Sequence, residues 1–340
     1  MVVNSTRSVT DRYREFSEQQ ARGVSPAYAE LTARISEDEE LCALIAALPP
    51  GNKQQPNLLL AAVRFLGGPH ERWTPFRAWT LAHWDAVRAV VLTRFTQTNE
   101  PARCATLLPL LAALPQPLAL IEVGASAGLC LHPDRYAYRY DGGAVLGSSP
   151  ATFDCRTEGP APLPTALPDI AWRAGIDLNP LDPTDEDDVR WLQSLIWPGR
   201  AERPRQQLAA IEAVRTAPRP RLVRGDLVDE LPALAADAPA DATLVVFHTA
   251  VLTYLPLARR EEFAALVRAL PGHWISNEHH TVLPWLDAPA PDDEHLLTLA
   301  LDERAVAFTA PHGQSLHWFG AASATGETGA TGAASATPPA

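Results

Sequence analysis

The chain predicts an α/β fold: a doubly wound, mostly parallel sheet preceded by an all-helical N-terminal region. Three observations carry this. From Leu118 onward, short apolar runs that end in polar turns alternate with helix-patterned segments, as parallel strands joined by crossover helices do. Residues 118–129 (LALIEVGASAGL) run from a buried-strand pattern straight into a glycine-rich turn, and glycine lets a backbone turn sharply and approach a ligand closely. Residues 1–115 carry helix caps and apolar stripes without strand alternation.

The totals are those of an ordinary folded chain. Its 340 residues are 46% hydrophobic and 20% charged, enough to bury a sizeable core. A net charge of −12 without any Lys/Arg cluster argues against a nucleic-acid partner. Lys53 is the only lysine and sits in a polar loop, so Schiff-base and P-loop lysine chemistry are not expected. Cys42, Cys104, Cys130 and Cys155 form no C-x-x-C and read as reduced, buried thiols. Neither a signal-peptide core nor an apolar run near the roughly 18 residues of a membrane span is present. A cytoplasmic protein with no membrane partner is the expectation, and the pattern carries no signal for oligomeric state.

Taken in order, residues 9–21 are polar and predict a surface helix. Ser25-Pro26 opens a second helix as N-cap and first helical residue, with Tyr28, Leu31 and Ile35 on its apolar face. Residues 37–48 and 58–66 predict a third and fourth, and residues 76–95 one long fifth. In TQTNEP (96–101), Thr98 or Asn99 reads as the cap of a helix over 102–114. The functional alternative is that this turn faces the glycine loop, because its helix feeds the central strand. Gln97, Asn99 and Arg103 would then contact substrate, Arg103 being available to an anion, and the region 1–115 would act as cap or platform.

The second region, 116–320, departs from a plain βαβ unit. Residues 131–168 read as an insertion with short strands at 135–140, 145–146 and 152–155. Core strands follow at 171–178, 221–223, 243–247 and 273–276, then a hairpin at 296–308 around Asp302-Glu303-Arg304 and a last strand at 315–319. Residues 321–340 are Ala, Gly, Thr, Ser, Pro and one Glu, a composition that predicts disorder.

Ligands of such sheets sit at the carboxyl ends of the strands. Glu122, Gly124, Ser126 and Gly128 fall there after the first core strand, Asp177 and Asn179 after the second, and Asp226 after the third. His248 and Thr249 follow the fourth, Asn277 and Glu278 the fifth. Carboxylates after the first three strands suit a ribose diol or an amino group. A helix starting after the glycines would aim its free N–H groups at the ligand. Two other readings stay open: a tight turn with no ligand, and a nucleophile elbow, because GASAG fits G-x-S-x-G. The elbow would need an acid and a histidine, with Asp226 or Asp241 and His279 or His312 in the required order. His273, Glu278, His279 and His280 do not fit a metal-binding spacing, so no metal is expected.

IEVGASAGL, GIDLNP, RGDL and ATLVVFHTAVLTYLP together resemble the successive motifs of the class I S-adenosylmethionine-dependent methyltransferases. The whole chain, including LPPGNKQQPNLLLAAVRFL and TQTNEPARC, also looks like a family of uncharacterised bacterial proteins known only as a domain of unknown function. The methyltransferase resemblance implies a Rossmann-like, methyltransferase-type sheet, S-adenosylmethionine as cofactor and a small-molecule substrate. It places Glu122, Gly124, Ser126 and Gly128 at the methionine end of the cofactor and Asp177 at the ribose hydroxyls. Asp226 falls beside the adenine amino group, Leu227 on the adenine ring, and Thr249 where cofactor meets substrate. His248 becomes the candidate base, with Tyr254 and Glu278 as alternatives. This chain departs from the pattern at the middle glycine, which is Ser126. It departs again in the 55-residue step from Glu122 to Asp177, against about 20 in a simple dinucleotide unit. The insertion accounts for that length and is expected to cover or fill the cofactor pocket. A binding protein with lost catalysis, or a hydrolase using Ser126, are the alternative functions.

Overall fold

The computed structural model describes residues 8–199 and 202–320, so the tail at 321–340 lies outside the described residues. The N-terminal region is helical, as its caps predict. Its α-helices are α1 (Val9–Glu15), α2 (Pro26–Ser36), α3 (Glu39–Ala46), α4 (Pro56–Phe65), α5 (Trp73–Ala82), α6 (Trp84–Thr93) and α7 (Cys104–Ala113). Ser25 caps α2, and Tyr28, Leu31 and Ile35 are buried along it.

Two expectations are corrected here. The polar segment 9–21 is not a surface helix: Val9, Tyr13, Phe16 and Ala21 are all buried. Val9, Tyr13 and Phe16 stand four and three residues apart, which puts them on one face. A π-helical turn (Phe16–Ala21) shifts that face and brings Ala21 onto it as well. The long fifth helix is instead α5 and α6, broken at His83, whose backbone leaves helical geometry and whose ring stacks on Trp79 at 4.2 Å.

The strands are β1 (Leu118–Val123), β2 (Ala137–Tyr140), β3 (Val145–Leu146), β4 (Thr152–Glu158), β5 (Ile170–Asp177), β6 (Arg221–Arg224), β7 (Thr243–Thr249), β8 (His273–His279), β9 (Leu297–Leu301), β10 (Arg304–Thr309) and β11 (Ser315–Trp318). They form one sheet in the order β3-β2-β4-β11-β10-β9-β8-β7-β1-β5-β6. The five strands β6-β5-β1-β7-β8 are parallel. Chain order therefore reverses between β1 and β7, and the crevice of a doubly wound sheet opens at such a point. The expected hairpin is β9–β10, turned by Asp302 and Glu303 at positive φ.

Side chains alternate across β1. Leu118 and Leu120 pack with the N-terminal helices. The chain continues through α8 (Glu186–Leu195) and α9 (Glu202–Arg215), and Ile121 and Val123 pack on the opposite side with α10 (Leu227–Ala236) and α11 (Leu257–Ala269). Glu122 shares the face of Leu118 and Leu120 by the two-residue period. It therefore points toward the helical region.

The insertion does not cover the crevice. β4 pairs in parallel with β11, and β2 and β3 extend the sheet beyond it, far from β1. Tyr140 donates from its hydroxyl to Ala105 O at 2.7 Å, fastening the insertion to α7. Main-chain pairing with a strand some 160 residues later outweighs chain proximity here. Nor does an α-helix begin after Gly128: only 3₁₀ turns follow, at Leu129–Leu131 and Pro133–Arg135.

Candidate functional site

A cleft of about 320 Å³ opens at the carboxyl ends of β1, β5, β6 and β7. Gln97, Asn99, Arg103, Glu122, Gly124, Ser126, Asp177, Asp226, Leu227, Thr249 and Tyr254 all line it, so most of the expected site comes together. Gly128, His248 and Glu278 lie outside its lining.

The glycine loop is held by bonds to the protein itself. Gly124 N and Ala125 N donate to Ile176 O, and Gly128 N to Ala125 O. Ser126 N donates to Asp177 Oδ2 at 2.8 Å, and Leu129 N to Asn99 Oδ1 at 3.0 Å. With these amides engaged and no helix start behind them, the loop lacks the free N–H cluster that cradles phosphate. The expected helix N-terminus is thereby corrected. Gly124, at φ +72°, also serves packing: a Cβ there would stand 2.5 Å from Val251.

The expected helix start is present as a 3₁₀ turn at Pro101–Arg103 that runs into α7, but the residue at its N-cap position is Glu100 rather than Thr98 or Asn99, and Asn99 instead braces the glycine loop. Gln97 reaches across the cleft, donating from Nε2 to Asp177 Oδ1 at 3.0 Å and to Asn179 O at 2.7 Å. Asn179 N adds a third bond to the Asp177 carboxylate at 2.7 Å. Two carboxylate oxygens offer about four acceptor positions, so Asp177 keeps roughly one. Asp226 caps α10 through Val228 N at 2.9 Å and pairs with Arg259 at 2.6 Å. Both contacts fall on Oδ1, and Oδ2 faces no partner among the described residues.

Arg103 is buried. Its Nε donates to Pro311 O at 2.8 Å, and one terminal nitrogen to Thr249 O and Oγ1 at 2.9 and 3.0 Å. Among the described residues, no carboxylate stands within 4 Å of it and its other terminal nitrogen has no partner. Glu122 is buried beside it with Oε2 unpartnered. Burial above all, then the Cys130 thiol, push the Glu122 pKa well above the ordinary carboxylate range, and Arg103 opposes them. Ser126, at φ 51°, has a buried hydroxyl with no hydrogen-bond partner among the described residues. The Cys130 thiol is pushed up as well, by its hydrogen bond with Cys104 and then by burial, so it is no ready thiolate.

His248 is not placed to act as a base. It is fully buried, and its Nε2 accepts from Trp274 Nε1 at 3.0 Å. Indole can only donate, so the ring proton sits on Nδ1, which donates to Glu278 Oε1 at 2.7 Å. Val251 N and Leu252 N donate to the same oxygen at 2.8 and 2.9 Å. The pair therefore holds the loop after β7 from behind. Tyr254, on that loop, is 65% exposed at the cleft mouth.

Sequence reasoning missed Asn52, Gln55, Phe95 and Leu178. Leu178 is 72% and Phe95 42% exposed, and both line the cleft. Lys53 stands 3.7 Å over the Phe95 ring and donates to Arg94 O, fixing the ring at the rim. The signal for Leu178 was its place directly after Asp177. The others come from another region and carried none.

The family model described as "Uncharacterized protein conserved in bacteria (DUF2332)" matches residues 10–318. The chain belongs to that family. No curated protein and no solved structure gives a significant match. Among the described residues no helix is long and apolar enough to cross a membrane. No group of three or more His, Cys, Asp or Glu is placed among them to hold a metal ion.

Proposed function

We propose that the cleft binds an adenosyl amino acid of the S-adenosylmethionine type and that the protein is a methyltransferase-like enzyme acting on a small molecule. One observation carries the reading. Among the described residues, Glu122 Oε2 and Ser126 Oγ are buried in the cleft without a partner, and one terminal nitrogen of Arg103, which lines it too, makes no hydrogen bond. A guanidinium and a carboxyl side by side receive the carboxylate and ammonium of an amino acid. The loop amides that a pyrophosphate would need are already engaged, which argues against a dinucleotide.

The residues fit the rest of such a ligand. Leu178, Leu227 and Phe95 present apolar surface to a flat ring, Asp226 Oδ2 can accept from an exocyclic amine, and Asp177 can accept from one hydroxyl. When bound, S-adenosylmethionine supplies an electrophilic methyl group. This chain's residues bind and orient: Arg103 and Glu122 hold the amino-acid end, and the Glu278–His248 pair fixes the loop that carries Val251 and Tyr254. Alignment of this kind is the main demand of an in-line transfer.

A second reading is a binding protein without turnover. It draws on the lack of an imidazole among the residues lining the cleft. The hydrolase reading loses support, because Ser126 Oγ has no base bonded to it. Calorimetry with S-adenosylhomocysteine tests the proposal. One site per chain, weakened at least tenfold by Arg103→Met, is expected. Absence of binding by S-adenosylhomocysteine and by S-adenosylmethionine alike would sink it.

A further inference from the structure

A second cavity, of about 600 Å³, lies against the first. Gln97, Thr98 and Asn99 line both, so segment 97–99 is the wall between them. That wall is pinned on each side of Thr98. Gln97 is tied to Asp177 and Asn179, and Asn99 to Leu129 and, through its carbonyl, to Gln207 Nε2 at 3.1 Å.

The second cavity has three chemical features. Its inner face is apolar, built from Leu192, Leu195, Ile196 and Trp197. Arg22, Arg203, His295 and His312 reach it from four separate stretches of an otherwise acidic chain, against Glu294 and Glu100. Arg203 places Nε and one terminal nitrogen on a single Glu100 oxygen, at 2.9 and 2.6 Å, which leaves its other terminal nitrogen unpartnered among the described residues. The exposed Arg22 side chain has no partner among them either. The His279 pKa is lowered by burial and then by His280, and the ring bonds Thr281 and the Glu294 carbonyl. Finally, Asn57 Oδ1 is buried without a partner among the described residues and requires a donor.

We propose that this cavity binds a small oxyanion, carboxylate or phosphate, that carries an apolar body and a hydrogen-bond donor. Guanidinium groups suit both oxyanions, and an apolar face with a few placed polar groups is the usual build of a small-molecule site. The inference goes beyond the adenosyl reading and does not require it. If both hold, the two ligands meet across Thr98.

The test uses three probes with one ring system: 1-naphthyl phosphate, 1-naphthoate and neutral 1-naphthol, titrated by calorimetry into the full chain. At least one charged probe should bind at one site, tenfold or more tighter than naphthol, and the stronger of the two identifies the anion. Arg22→Glu and His295→Glu, both at exposed positions, should each weaken it at least fivefold with the melting temperature unchanged. Saturating S-adenosylhomocysteine should not displace it. No binding, equal binding of naphthol, indifference to both variants, or displacement by S-adenosylhomocysteine would each overturn the proposal. If S-adenosylhomocysteine does not bind at all, the adenosyl reading fails while the response to Arg22→Glu still decides this one.

Discussion

The Asp177 carboxylate accepts a 2.8 Å hydrogen bond from the backbone N–H of Ser126, 51 residues earlier in the chain. Two further donors, Asn179 N and Gln97 Nε2, share that carboxylate. The acid at the end of β5 thus holds the glycine loop and the 97–99 wall together. Asp177→Ala should lower both quantities that can be measured on it. Loss of hydrogen bonds to a charged group, each worth roughly 1.5–3 kcal/mol, should drop the melting temperature by several degrees. Affinity for S-adenosylhomocysteine should fall at least tenfold. A variant with native melting temperature would refute the structural role.

Asp226→Ala removes a helix cap worth about 1 kcal/mol and an exposed ion pair with Arg259. The melting temperature should therefore fall by only a few degrees, while affinity for S-adenosylhomocysteine drops severalfold. Unchanged affinity would leave Asp226 as a cap alone.

Glu122 links the site to pH. Its pKa is raised in the folded protein, chiefly by burial. Between its unfolded and folded pKa values the folded state binds more protons, so stability falls as pH rises through that window. Glu122→Gln should abolish this slope and raise the melting temperature above it. A bound ammonium would favour the ionised form, so ligand binding should release a proton and tighten with rising pH. Calorimetry in buffers of different ionisation enthalpy measures that release, and a zero count would contradict the placement of the amino group.

Ser126 sits at φ 51° with an unpartnered hydroxyl. The wild type should not react with a fluorophosphonate probe. Ser126→Gly should keep the fold and gain up to about 1 kcal/mol, since a left-handed residue costs an L side chain roughly that much. Labelling that disappears in Ser126→Ala would instead favour the hydrolase.

Replacing Glu278 with Ala leaves three donors, two of them fully buried, without an acceptor: His248 Nδ1, Val251 N and Leu252 N. A loss of roughly 3 kcal/mol or more is expected, read as a shift of the denaturant midpoint. His248→Asn should leave the shape of any pH–rate profile unchanged, because the ring is closed off from the cleft. A lost acidic limb would restore His248 as a base.

Much of this molecule was determined by its sequence alone. The parallel core, the β9–β10 hairpin, the cap at Ser25 and the acids at the strand ends were legible because they are written in local periodicity and in residues with restricted backbones. Even the meeting of Gln97, Asn99 and Arg103 with the glycine loop could be anticipated from chain order. Tertiary structure alone decided the rest. It carried the insertion away to pair with β11, gave His248 and Glu278 to loop support and set Arg103 beside Glu122. It also brought Phe95 and Leu178 to one rim, and engaged Asp177 and the loop amides within the protein. Each of these depends on hydrogen-bond partners or burial contributed by segments distant in sequence. A side chain's residue type states which bonds it can make; only the fold settles which of them are already made.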